Sequence, residues 1–429
     1  MKTPKQQPVS KEEQAVEPKR SIRRQIAISL FVLFLLVIST ILVILYGKGY
    51  RFGFQQGEPK LSKTGILQVT SKPTGAQVYV DGHLTTATDN SLNLTPGKYT
   101  IKISKDGYND WQKDIEIQRE VVIDEDALLL PKAPTLQSIS AFGVEAATMD
   151  PSGTKLAFKI ASDSAKKNGI YVLDMANRSF PVLAGQSNST QLVDDTLDLF
   201  SQADLIWSPD GKQILAKIPN TTNGITYYLL KTDGFNDTPQ DITATLKTTT
   251  DLWASQLQAK ETARLKSLKA PVQKFAHANF HILSWSPDEN KILYQASESA
   301  QMPIFIKPRI IGNNLLYERR DLKKGAIYVY DIKEDINTRL MDTIDDLCTT
   351  TSPDCMLPFS WFPDSHHLLS IHDKKIGIIE DDGSNLTTMY AGPFVDYYVF
   401  PWPDGSKIVI LTNLNNAGIL PTLYTIALK

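Results

Sequence analysis

The sequence predicts a mainly β protein with an N-terminal single transmembrane helix, a small β-sandwich, and a five- or six-bladed β-propeller with a helical insertion. Three observations lead to this fold class. Residues 26–46 contain no charged residue, residues 65–132 alternate apolar and polar positions between turns rich in Pro and Gly, and a Pro-containing turn motif recurs five times within residues 133–429. Alternation indicates half-buried strands, and a repeated strand corner is typical of propeller blades.

The uncharged segment is long enough to cross a membrane. Its 21 residues match a hydrocarbon core of roughly 30 Å at about 1.5 Å of helical rise per residue. A cleavable signal peptide is the alternative, but its apolar region would be about 7 to 15 residues long and would end in a small-residue cleavage site. The segment is therefore interpreted as an uncleaved signal anchor.

Charge next to this segment predicts its orientation. Four basic residues precede it closely and two follow it, namely Lys19, Arg20, Arg23 and Arg24 before and Lys48 and Arg51 after. Because positive charge is retained on the cytoplasmic side, residues 1–25 are expected inside, and the C-terminal domains outside, the cytoplasmic membrane. Residues 1–25 carry a net charge of +4, and the whole chain carries −2, so the remaining residues carry −6. This mildly acidic exterior gives no electrostatic reason to expect nucleic-acid binding.

The two cysteines of the chain, Cys348 and Cys355, lie in one short polar segment. In an oxidising exterior compartment, a structural disulfide across the Ser-Pro-Asp turn between them is expected. Two free thiols remain the alternative. A zinc site would need further ligands at suitable spacing, and none accompanies the pair.

The first exterior unit follows a juxtamembrane linker, residues 47–64, that is rich in Gly, Lys, Gln and Pro. From Gly65 onward, short β-rich runs are separated by tight turns, in which Pro fixes φ and Gly accepts a positive φ. The turn residues are Pro73, Gly75 and Ala76, followed by Asp81 and Gly82. Antiparallel strands of this length predict a small β-sandwich over residues 65–132.

This pattern resembles the PEGA domain family, with Thr74 in place of the glutamate of the Pro-Glu-Gly-Ala turn. The resemblance implies an extracytoplasmic β-module on a surface or envelope protein, and it implies no catalysis.

The second exterior unit, residues 133–429, is organised by a repeat. The three best copies place a Trp two residues before a Pro-Asp pair, and they comprise Trp207, Pro209 and Asp210; Trp285, Pro287 and Asp288; and Trp361, Pro363 and Asp364. Pro presets one turn position, Asp bonds to the backbone, and an apolar strand follows. The Trp residues are expected in the propeller core, because equivalent repeat positions make equivalent packing contacts.

These motifs resemble the repeats of TolB-like propellers, a relative of the WD-repeat design, with weaker copies at Pro151 and Pro403. The five prolines are spaced by 58, 78, 76 and 40 residues, whereas blades usually run about 40 to 45. The long gaps must hold insertions or an unmarked blade. One insertion, at about residues 245–270, reads as a helix beginning at Thr250-Asp251 and including Trp253 and Leu257. Six blades are favoured over five, closed by a strand near Leu136 pairing with residues 423–427.

No catalytic, cofactor-binding or metal site is predicted. The usual nucleophile, zinc and nucleotide motifs are absent from the sequence, and His277 and His281 lie in a stretch, 275–285, that reads as a strand. The predicted function is that of a cell-envelope binding or scaffold protein, not an enzyme, whose partners are the membrane and an envelope protein or cell-surface polysaccharide.

Two alternatives stay open. A propeller enzyme acting on a glycan or lactone would place carboxylates, with or without calcium, in the central channel, and a structural spacer would leave both propeller faces polar. Specificity is expected in residues 239–284 and 301–324, which interrupt the repeat. The partner's identity, the binding face and the oligomeric state do not follow from the sequence.

Overall fold

The computed structural model describes residues 20–47, 50–55, 58–140, 142–176, 189–219, 224–342, 358–395, 398–416 and 418–428. Helix α1 (Arg20–Gly47) contains the uncharged segment and extends it toward the N-terminus. Its residues 24–44 have a mean hydropathy of 3.0 and are not buried against the rest of the protein. A membrane anchor and a signal sequence both have this length and composition.

The linker predicted for residues 47–64 contains an antiparallel hairpin of β1 (Tyr50–Gln55) and β2 (Glu58–Lys63). Its pairing runs from Tyr50 with Lys63 to Gln55 with Glu58. Tyr50, Phe52 and Phe54 alternate with Arg51 and Gly53, a strand pattern that the interpretation as a linker overlooked.

The sandwich contains seven strands in two sheets, ordered β6-β3-β9 and β5-β4-β7-β8. The strands are β3 (Gly65–Lys72), β4 (Gln77–Val80), β5 (His83–Ala87), β6 (Asn90–Leu94), β7 (Gly97–Ser104), β8 (Trp111–Ile117) and β9 (Val122–Leu128). The expectation of antiparallel strands is wrong at one place, because β9 pairs parallel to β3. Alternation reports which face is buried but not the direction of a strand. Strands β8 and β9 each form one edge of their sheet.

The propeller consists of five four-stranded antiparallel sheets among the described residues. In chain order, β10 (Leu136–Ser138) is followed by blade 1, with β11 (Val144–Met149), β12 (Lys155–Ile160), β13 (Gly169–Asp174) and β14 (Ser189–Val193), and blade 2, with β15 (Asp204–Trp207), β16 (Gln213–Pro219), β17 (Ile225–Lys231) and β18 (Gln240–Asp241). Helices α2 (Leu246–Ser267) and α3 (Ala270–Asn279) come next.

The remaining three blades complete the ring. Blade 3 has β19 (Phe280–Trp285) and β20 (Lys291–Ala296), then a two-stranded excursion of β21 (Ala300–Gln301) and β22 (Asp321–Leu322), then β23 (Ile327–Asp331) and β24 (Ile336–Met341). Blade 4 has β25 (Phe359–Trp361), β26 (His367–His372), β27 (Lys375–Glu380) and β28 (Thr387–Tyr390), and blade 5 has β29 (Val399–Pro401), β30 (Lys407–Thr412) and β31 (Thr422–Ala427).

The first propeller strand closes the ring onto the last. Strand β10 pairs with β31, with Leu136 opposite Ile426, and becomes the fourth strand of blade 5. This is the closure that the sequence predicted. The sixth blade that the repeat spacing favoured is not found among the described residues. The segment between blades 2 and 3 contains helices α2 and α3, and the segment between β20 and β23 of blade 3 contains the two short strands β21 and β22.

The helical insertion joins blades 2 and 3. Trp253 of α2 packs with Leu215 of blade 2, whereas Leu268, just after α2, packs with Trp285 of blade 3. Three details differ from the sequence expectation. Helix α2 begins at Leu246, with no side-chain hydrogen bond capping its start, Leu257 is 52% exposed, and residues 275–279, expected in a strand, belong to α3. Short apolar runs are ambiguous between helix and strand, which explains the last error.

Candidate functional site

The repeat residues form one kind of turn in all five blades. In each copy, the residue that follows the Pro-Asp or Pro-Ser pair has a left-handed backbone. These residues are Gly153, Gly211, Glu289, Ser365 and Gly405. In blade 2, Ser208 Oγ donates to Asp210 at 2.7 Å and accepts from the backbone N–H of Gln213. Ser286 and Asp288 repeat this arrangement in blade 3. Pro209, Pro287 and Pro363 open these turns, which are structural corners.

The three repeat tryptophans end the first strands of blades 2, 3 and 4 and are each 9% exposed. The indole N–H of Trp207 donates to the carbonyl oxygen of Thr148 at 3.1 Å, and that of Trp285 donates to Glu261 of helix α2 at 3.1 Å. Trp361 also packs in the core between blades 3 and 4. Their lack of a binding role stays a prediction.

The turn residues of the sandwich lie away from the propeller contacts described below. Gly75, Asp81 and Gly82 have left-handed backbones, and Ala76, after the Pro73 turn, is fully buried. Asp81 accepts a hydrogen bond from the backbone N–H of Thr100 at 2.9 Å. Cys348 and Cys355 lie outside the described residues, so their predicted disulfide stays a prediction.

Two charged residues point inward at the open edge of the sandwich. Lys113 lies on the same face of β8 as the buried Trp111 and Ile115, and Glu125 lies on the same face of β9 as the buried Ile123 and Ala127. Inward-pointing charges are one way in which edge strands avoid unwanted pairing. Here they mark the opening between the two sheets, and the propeller covers it.

Three carboxylates surround the ammonium group of Lys113. Its Nζ lies 2.7 Å from Asp382, 2.9 Å from Glu380 and 3.4 Å from Glu125, and the four side chains are only 8 to 15% exposed. Glu380 ends β27 of blade 4, and Asp382 lies in the turn that follows it. Burial lowers the pKa of Lys113, but Glu380, Asp382 and Glu125 outweigh that effect and hold it well above its usual range.

Further hydrogen bonds connect β8 to the propeller. The indole N–H of Trp111 donates to Glu380. The backbone N–H groups of Gln112 and Asp114 donate to Asn385 at 3.0 Å and to the Tyr317 hydroxyl at 3.1 Å. Asn314 Nδ2 donates to the carbonyl oxygen of Asp114 at 2.9 Å. We call these contacts, together with the Lys113 cluster, the sandwich–propeller interface.

Beside this interface lies a cleft of about 720 Å³ between the sandwich and blades 3 and 4. Carboxylates from both units line it, namely Asp124, Glu125, Asp126, Asp331, Glu334, Asp364, Glu380, Asp381 and Asp382. Lys72, Lys113 and Lys291 supply the positive charge. Lys291 bonds to Asp381 and to the carbonyl oxygen of Ser365, which links the corners of blades 3 and 4.

A buried histidine completes the charged network at the corner of blade 4. His367 Nδ1 lies 2.7 Å from Asp364. Burial lowers the pKa of His367, but the hydrogen bond and the charge of Asp364 outweigh this effect and raise the pKa. Burial raises the pKa of Asp364, but its hydrogen bonds to His367 and to backbone amides outweigh this effect and lower the pKa to about 2. Among the described residues, no group of three or more His, Cys, Asp or Glu side chains has a geometry suited to a metal ion.

The cleft and the interface were not predicted from the sequence. Residues 301–324, where a specificity surface was expected, supply Asn314 and Tyr317 to the interface. His277 lies in α3 and His281 in β19. A usable signal was present in β8 and β9, since Lys113 and Glu125 interrupt otherwise apolar inward positions.

Comparison with known proteins identifies the sandwich. Residues 64–128 match the PEGA domain. These residues are the seven-stranded sandwich, which is therefore a PEGA domain on an apolar N-terminal helix. No curated protein sequence matches the chain.

Solved structures similar to the chain include several propellers. A protein assigned as TolB from Agrobacterium tumefaciens is 16% identical, with a TM-score of 0.21 over 66% of this chain and 78% of that one. TolB from Acinetobacter baumannii is 13% identical, with a TM-score of 0.22 over 77% and 59%. The β-propeller domain of the Trilobed protease from Pyrococcus furiosus is 14% identical, with a TM-score of 0.21 over 85% and 96%. At such values, the propeller assignment rests on this chain's own sheet order and closure.

Proposed function

We propose that this protein is a membrane-anchored binding protein of the cell envelope, in which helix α1 holds one rigid exterior body made of the sandwich and the propeller. The observation that supports it is the sandwich–propeller interface. Through it the propeller covers the open edge of the PEGA domain with a buried ion cluster, so the two units present a fixed surface. A fixed relative orientation suits binding, because little freedom is lost when a partner is engaged.

The membrane part of the proposal rests on charge and length. The basic residues before α1 favour an N-terminus inside and an exterior body outside the cytoplasmic membrane. The hairpin of β1 and β2 then connects α1 to the sandwich. A PEGA domain and a propeller placed after an apolar helix fit an envelope-associated binding or scaffold role.

The partner that we favour is an envelope protein rather than a polysaccharide. Leu252 and Leu257 of helix α2 are 55% and 52% exposed, and exposed apolar side chains on a helix suit protein contact better than a hydrated glycan. A structural spacer would leave the propeller faces without a pocket, whereas here a cleft of about 720 Å³ lies beside the interface. The interface carboxylates are engaged by lysines, backbone amides and side-chain donors, so we assign them a structural role and propose no catalysis.

Crosslinking in intact cells tests this function. A tagged full-length chain is compared with a Leu252→Ser/Leu257→Ser variant and with a Leu84→Ser control, since Leu84 is comparably exposed, at 60%, but lies on the sandwich. We expect wild type and control to capture the same envelope protein and the double variant to lose most of it. Equal capture by all three would refute α2 as the binding surface. Capture of wall polysaccharide alone would refute a protein partner.

A further inference from the structure

We propose that the sandwich–propeller interface is proton-sensitive, so that the two units are held together most tightly in mildly acidic surroundings and separate more readily above neutral pH. The charge balance at the interface supports this. One ammonium group, on Lys113, faces three carboxylates, on Glu125, Glu380 and Asp382. With all four ionised, the cluster has a net charge of −2 in a site that is largely shielded from water, where like charges repel strongly.

The contacts that β8 makes across the interface are polar, so their strength depends on charge, whereas Leu128 and Leu130 pack on the apolar core of blades 4 and 5. Trp111, Gln112, Lys113 and Asp114 reach the propeller through hydrogen bonds and ion pairs. A buried ion pair contributes to association only when the remaining carboxylate oxygens are also satisfied. An excess carboxylate therefore weakens the contact, and a proton on that carboxylate relieves the repulsion.

Glu125 is the carboxylate placed to take this proton. Glu380 accepts hydrogen bonds from Trp111 and Asn385 besides its contact with Lys113. Asp382 accepts from the backbone N–H and the hydroxyl of Ser384. The carboxylate of Glu125 has a single described contact, with Lys113, and at 3.4 Å it is the longest of the three.

The groups that face Glu125 come from both units. Lys113 lies on β8, and Glu380 and Asp382 lie in blade 4. Farther around the same cleft are three paired sets, Lys291 with Asp381 and Asp331, His367 with Asp364, and Lys72 with Asp126, together with Asp124, Glu334 and His366.

Burial raises the pKa of Glu125 to about 7, and Glu380 and Asp382 add to this, although Lys113 opposes it. Its ordinary value is 4.5, so the docked state binds the proton more tightly than a separated state in which Glu125 reaches water. The proton on Glu125 therefore stabilises the docked state fully below about pH 4.5, and this stabilisation is lost as the pH rises through about 7.

Hydrogen exchange of the full chain in detergent or nanodiscs measures the docking directly. The outward N–H groups of Gln112 and Asp114 bond only across the interface among the described contacts, so their protection reports how often the units separate. After correction for intrinsic exchange, we expect protection of the peptide containing β8 to fall by up to about 30-fold between about pH 5.5 and about pH 8.5. Protection of β16, in blade 2, should stay constant.

Matched variants assign the effect. Glu125→Gln removes the titrating group and should leave β8 equally protected at both pH values, whereas Asp124→Asn, an exposed carboxylate on the same strand, should behave as wild type. Glu380→Gln keeps an acceptor oxygen for Trp111 and Asn385 but removes a charge, and it should move the transition to lower pH. Constant protection of β8 in the wild type would overturn the proposal, as would an unchanged pH dependence in Glu125→Gln. If Glu125→Gln fails to fold, an unshifted transition in Glu380→Gln would overturn it instead.

Discussion

Replacing Lys113 by Met should separate the sandwich from the propeller without unfolding either unit. Methionine keeps the length and much of the volume of the side chain but removes the charge. Glu125, Glu380 and Asp382 are then left without their shared ammonium group in a site where their side chains are 8 to 15% exposed. Removing one partner of a buried pair is destabilising because the remaining charge loses its compensation.

The cost of this change can be estimated from the structure. Breaking a buried ion pair from one side costs about 3 to 5 kcal/mol. Protonation of Glu125 would relieve part of the repulsion, since its pKa is already raised to about 7 by burial. The lower end, about 3 kcal/mol at neutral pH, is therefore expected. The core of the sandwich, which includes Leu67, Ile101 and Ile103, does not depend on Lys113 and should remain folded.

Calorimetry of the full chain tests this expectation. The wild type should unfold with the sandwich and propeller coupled, whereas Lys113→Met should show two separate transitions, the first of them earlier than in the wild type. Lys98→Met serves as the control, because Lys98 is an exposed lysine on the neighbouring strand β7. Unfolding of Lys113→Met that matched both wild type and control would refute the role assigned to the buried cluster.

Two further predictions concern the propeller. Trp285→Ala should lower the free energy of unfolding by about 3 to 5 kcal/mol because of the cavity it leaves, as measured by urea denaturation; normal stability with loss of the partner would instead make Trp285 a binding residue. Cys348 and Cys355 should show no free thiol when the unreduced protein is denatured and labelled, because we expect a disulfide between them. A bridge across so short a loop should stabilise the fold by an amount toward the low end of about 2 to 4 kcal/mol. Two reactive thiols would exclude the bridge.

The repeat motif predicted the propeller well because it encodes a local structure. A Pro followed by Asp sets a turn within a few residues, and the left-handed position after it is seen even where Glu289 and Ser365 replace Gly. Ring closure by β10 followed from the need to pair the edge of the last blade. The blade number did not follow, because a gap of 78 residues can hold a blade or, as here, the helices that contact Trp285 and Leu215.

The interface could be predicted only in part. Lys113 and Glu125 stand out as charges at inward positions of two strands, which signals that something covers that edge. Their partners Glu380 and Asp382 belong to a different unit far along the chain, and no local pattern connects them. The parallel pairing of β9 with β3 was missed for the same reason, since strand direction depends on the tertiary path of the chain.

Protease accessibility in protoplasts tests most directly the central claim of a membrane-anchored exterior body. Cells producing the full chain with a C-terminal tag are treated with protease before and after lysis. We predict that protease added to intact protoplasts removes the tag and the mass after residue 47, while a cytoplasmic control protein stays whole. A tag and propeller that remain protected until the cells are lysed would contradict the proposed orientation and, with it, the envelope function.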